Sequence, residues 1–218
     1  MATSSKSNLL ALLCASLAMG LLGVAEAATA PCANQEIVLE GQPLEMEYRN
    51  NAAVLRDVVI TQCSVRIQAA EADIRGGLNL ENSHMTISGD VRITAEGGSL
   101  SSDKAIVSFR NKLISAATIT GTPAQFEQKR EDGTTARGRA NTIIYETTSG
   151  TVSFNTDAFL SYGRNEATGQ QFVYNIRSQS VQARKPDSAG GNDRIRVVIQ
   201  PDKPPQISSP DKDKEKKP

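Results

Sequence analysis

The chain has no tryptophan and one histidine, His84, and its aromatic residues amount to only 4%. A single imidazole leaves no histidine cluster to hold a metal, and a serine–histidine–aspartate arrangement would have to be built around His84 alone. A phosphate loop is missing too. Gly97-Gly98-Ser99 lacks the lysine and the following helix that such a loop requires, so it reads as a turn. Neither charge dominates, since 24 Lys and Arg offset 24 Asp and Glu. Nothing in that balance invites nucleic acid or an acidic surface. Beyond the leader, no segment sustains the i, i+3, i+4, i+7 apolar spacing of an amphipathic helix. Glu45, Glu47 and Asp57 fall on the polar side of alternating segments, where a solvated surface is the ordinary outcome for a carboxylate and an acid/base pair is not. The expectation is a chain without catalysis, cofactor or metal.

What is present is alternation with a period of two. In Thr120–Tyr162 the apolar positions Ala124 and Phe126, Ile143 and Tyr145, then Val152 and Phe154 recur at every second residue. Asp132-Gly133 and Ser149-Gly150 mark the turns between them. This pattern predicts half-buried antiparallel strands. It extends upstream through Leu44–Tyr48, Val54–Thr61, Val65–Ala69, Met85–Ile93, Ile106–Phe109 and, after a turn at Arg110-Asn111-Lys112, Leu113–Thr120, and downstream through Phe172–Ile176 and Ile195–Ile199. A loose repeat runs through it: a small or polar lead-in precedes a strand at QAAEADI (68–74), SSDKAIVSF (101–109), GRANTIIYE (138–146) and GQQFVYNI (169–176). Uneven spacing rules out a strict solenoid. The repeat describes stacked β units, each needing a neighbour to bury its apolar face.

The ends differ in character. Residues 1–27 carry Lys6, the apolar run Leu9–Val24 and Ala25-Glu26-Ala27, which fits a cleaved secretory signal; a retained anchor is the alternative. Residues 28–200 form the expected β domain. Residues 201–218, rich in proline and mixed charge, cannot bury enough surface to offset ordering and are expected to be a solvated tail. Cys32 and Cys63 remain after cleavage. In an exported chain such a pair predicts a disulfide, worth about 3–4 kcal/mol on the chain-entropy model, with two buried thiols as the alternative. An open sheet would leave edges for strand addition at Glu36–Leu39 and Ile195–Ile199.

The ordered motifs GTPAQFEQ, EDG, RGRANTIIYE and DAFLSY, with VVITQCSVRIQAAEADI (58–74) upstream, resemble the LptA/OstA-like family of Gram-negative lipopolysaccharide export. Cys63 stands where that family's strand end usually has glycine. The resemblance covers most of residues 35–185. It implies an open, twisted antiparallel β jelly roll in the periplasm, whose apolar groove holds the acyl chains of lipid A and does no chemistry. It implies as partners lipopolysaccharide and LptC-like inner-membrane and LptD-like outer-membrane jelly rolls, with head-to-tail self-association. Phe126 and Tyr145 match the family's inward motif positions. Strand alternation adds Ile37, Met46, Tyr48, Ile67, Ile87 and Phe109 as expected lipid contacts, and also Ile143, Phe154, Leu160, Phe172 and Tyr174. Two other readings stay open: a membrane-anchored LptC-like partner, and a structural envelope β protein with a filled core.

Overall fold

Strands account for every described element except one three-residue 3-10 turn, as the period-two pattern requires. The computed structural model describes residues 35–75, 79–184 and 194–200. The expected leader and tail lie outside these residues. The strands are β1 (Val38–Glu47), β2 (Ala52–Gln62), β3 (Val65–Ile74), β4 (His84–Ala95), β5 (Gly98–Arg110), β6 (Leu113–Lys129), β7 (Thr135–Glu146), β8 (Thr151–Tyr162), β9 (Asn165–Asn175), β10 (Ser180–Ala183) and β11 (Arg196–Val198). They form one antiparallel meander in sequence order from β1 to β10, and β11 also pairs with β9. The edge strands do not pair with each other, so the fold is an open twisted jelly roll and not a barrel.

The strands bend near their middles. Register shifts recur between Gln68 and Glu71, Ser88 and Val91, Ser101 and Lys104, Thr120 and Ala124, Arg139 and Thr142, and Asn155 and Ala158. An extra residue on one strand bends it and strengthens its twist. Because the shifts line up across the sheet, the bends add into one crease, and the sheet folds on itself. One half carries Phe126 and the turns after β2, β4, β6 and β8; the other carries Tyr145 and the turns after β1, β3, β5, β7 and β9. The repeat seen in the sequence is this crease, for its copies fall on β3, β5, β7 and β9. Ala72, Ala105, Ala124, Ala140 and Ala158 line its inner side and are all buried. Small side chains predominate where the halves converge. On the outer face Gly89 has a φ of +76°, and a Cβ there would stand 2.7 Å from that of the exposed Ala70.

Candidate functional site

Strand register aligns the inward side chains into rows that cross the whole sheet. In one half the row runs Leu39, Ile60, Ile67, Ile93, Leu100, Phe126, Gly138, Leu160, Ala167, Val197. In the other it runs Met46, Ala53, Ile74, Met85, Val107, Ala117, Tyr145, Val152, Tyr174, Val181. Between them the two rows form a single apolar interior. Phe126 meets Phe154 edge-on at 5.8 Å between ring centroids and Tyr174 at 5.4 Å. Gly138 makes this packing possible, because a Cβ there would stand 2.3 Å from the Phe154 ring. Burial fades only at the sheet ends: Met46 on β1 is 44% exposed, and Val181 and Val197 at the opposite edge are 45% and 60% exposed.

Two buried glutamines tie the halves together opposite the crease. Gln62 Nε2 donates to the carbonyls of Lys112 (3.0 Å) and Gln35 (3.2 Å), and its Oε1 accepts the Ile114 N–H (2.8 Å). Gln128 Nε2 donates to the Ile176 carbonyl (3.2 Å), and its Oε1 accepts the Tyr174 hydroxyl (2.7 Å). Outside Gln128, Arg177 Nη2 meets Glu96 Oε1 at 2.6 Å and also donates to the Thr147 carbonyl. That carboxylate holds the Arg177 pKa above its usual value. Burial, reinforced by Glu96, pushes the Tyr145 hydroxyl up to about 12. Burial raises Tyr174 as well. Both phenols therefore stay protonated through the physiological range, and Tyr174 keeps donating to Gln128. Beside Gln62 a cleft of about 430 Å³ opens between Glu36, Ile37, Leu80 and Lys112.

Among the residues expected from sequence, Ile67, Ile87, Phe109, Phe126, Ile143, Tyr145, Phe154, Leu160, Phe172 and Tyr174 all lie in the one interior cluster. Ile37 packs partly buried against it, Met46 sits on the exposed end strand, and Tyr48 opens the 3-10 turn after β1. Sequence reasoning missed Gln62 and Gln128. Their signal was a polar residue at inward parity, two places after Ile60 and Phe126. Cys63, at the β2–β3 turn, is disulfide-bonded; Cys32 lies outside the described residues. His84 is exposed, with Nδ1 3.1 Å from Ser108 Oγ. Among the described residues no three His, Cys, Asp or Glu side chains gather as metal ligands would.

A folded open sheet with an apolar interior and uncovered ends defines an antiparallel groove protein of the β-jelly-roll class. Residues 75–180 match the family model described as LptA/(LptD N-terminal domain) LPS transport protein. Among solved structures the chain is similar to LptH, the LptA-homologous periplasmic component of the lipopolysaccharide transport device from Pseudomonas aeruginosa. Identity is 26%, over 63% of this chain and 95% of that one, with a TM-score of 0.55. Over residues 75–180 the chain is thus similar to the LptA/LptD lipopolysaccharide-transport proteins. No curated protein matches it in sequence.

Proposed function

We propose that the protein is a periplasmic carrier that binds lipopolysaccharide by seating the acyl chains of lipid A between the two halves of its sheet, without chemistry. The observation that carries this reading is the pair of inward rows, apolar across the sheet and unburied at both end strands. An interior uncovered at its two ends suits a cargo passed along a line of similar modules. Each buried methylene contributes about 0.8 kcal/mol, so one acyl chain supplies several kcal/mol of gross binding. Gln62, Gln128 and the Glu96–Arg177 pair close the side opposite the crease, and entry of a chain from that side requires them to part. The end strands would join LptC-like and LptD-like jelly rolls, or further copies of this chain, by strand addition.

The filled-core alternative also has an observation in its favour, because the central inward residues are already packed against one another. Direct binding separates the two. The purified protein should bind lipopolysaccharide in preference to a phospholipid control, and a photo-crosslinker at Phe126 or Tyr145 should capture it. A crosslinker at the outward-facing, exposed Gln68 should not. Capture at Gln68 alone, or no binding at all, overturns the carrier reading.

A further inference from the structure

The outer face of the Phe126 half holds a second cleft, which the interior does not use. Its volume is about 510 Å³, and Ser99, Ser101, Gln125, Arg137, Arg139 and Phe159 line it. These side chains have the opposite parity to the inward row. Even so, Phe126 and Gly138 of that row also line the cleft, which therefore reaches down into the sheet layer. The register shifts at Ser101/Lys104, Thr120/Ala124 and Arg139/Thr142 spread the ladders along its rim and open it.

The lining mixes polar side chains with the apolar Pro123, Phe126 and Phe159, and its charge is net positive. Arg137 and Arg139 set two positive charges against the one carboxylate, Glu127. Glu127 Oε2 fixes Arg137 Nε at 3.1 Å, and the Arg139 guanidinium lies 4.2 Å over the Phe159 ring, so both groups are oriented before any ligand arrives. Guanidinium forks match carboxylate and phosphate. The serine hydroxyls and the Gln125 amide match a ligand rich in hydroxyls. The volume falls in the range of small-molecule sites, about 300–1,000 Å³. A polyanion is disfavoured. The adjoining cleft of about 300 Å³ shares Ser101, Pro123 and Gln125 but carries Asp90 and Asp103 beside Arg92, which confines negative charge to the Arg137–Arg139 end.

We propose that this outer cleft binds a saccharide bearing one carboxylate or phosphate, with the anion on Arg137 and Arg139 and the hydroxyls toward Ser101 and Gln125. The site is independent of the lipid-carrier reading. The test titrates the full chain with glucuronate and glucose 6-phosphate, using glucose and inorganic phosphate as partial ligands, and follows backbone amide shifts by NMR. Saturable shifts should centre on Ser101, Gln125 and Arg139 for one or both acidic sugars, with each partial ligand bound roughly tenfold more weakly or worse. Preference between the two sugars identifies the anion. Arg139→Gln and Arg137→Gln should each weaken binding at least about tenfold with an unchanged melting temperature, and Glu127→Gln should strengthen it. Absence of saturable binding by either acidic sugar overturns the proposal. So does glucose binding equal to theirs, or affinity that neither arginine substitution alters.

Discussion

At the scale of single residues, the side chains that decide most are the ones that break the apolar rule. Gln62 and Gln128 occupy inward positions yet are fully bonded, which is the condition for burying an amide without penalty. Replacing Gln128 with leucine would strand the Tyr174 hydroxyl and the Ile176 carbonyl inside the protein. Each buried group left unpaired costs about 1–3 kcal/mol, so Gln128→Leu should lower the denaturant midpoint clearly without changing the strand content seen by circular dichroism. Asp132 acts at the surface. It accepts hydrogen bonds from Thr134 Oγ1, the Tyr162 hydroxyl and the Thr134 N–H, which lower its pKa to about 2. A carboxyl whose folded pKa is depressed contributes order to its turn above the unfolded value, near 4, and loses it as pH falls through the folded value. The Thr134 amide shift should therefore titrate with a midpoint near 2, and in Asp132→Asn that transition should vanish. Alternation showed which positions face inward. It did not show the partners of Gln62 and Gln128, which lie about 50 residues away in sequence.

At the scale of elements, the meander makes every strand but those at the ends a bridge between two neighbours. The edge is shared at one end by β10 and β11, both on β9, and at the other end it is β1. β11 is short, Arg196–Val198, and Val197 pairs only with Ala167. Proline on such an edge removes a donor without cutting the sheet. Val197→Pro should leave thermal unfolding nearly unchanged while abolishing concentration-dependent assembly in sedimentation. Monomeric wild type at every concentration, together with no affinity for another jelly-roll domain, would remove the basis for edge stacking. Strand positions were legible because turn residues such as Asp132-Gly133 and Ser149-Gly150 interrupt a strict alternation. The bends were legible only as a repeat of small residues, since a single bulge leaves no sequence pattern of its own.

For the whole molecule, the tie between the N-terminal region and the β2–β3 turn is the remaining question of stability. With Cys63 disulfide-bonded, we expect Cys32 as its partner. Peptide mapping without reduction should recover the two linked, and Cys32→Ser should destabilise the oxidised protein by up to about 3–4 kcal/mol, as expected for a closed loop of roughly 30 residues. A map with both thiols free to alkylation would end that pairing.

The sequence by itself determined that the chain is antiparallel β, which residues face inward along each strand, and that it has one histidine, no tryptophan and no phosphate-loop motif. These follow from local properties: a strand presents its faces with period two, and a missing residue type is missing in any fold. Only the tertiary structure decided that the inward faces of β2–β9 close over one another across a shared crease, that two glutamines bolt them together, and that apolar rows emerge at Met46, Val181 and Val197 on the end strands. It alone also placed Arg137 and Arg139 over a cleft on the outer face. The reason is geometric. Each bulge bends one strand, but whether the bends add into a fold depends on the register of every neighbouring pair, and register is settled by contacts far apart in the chain.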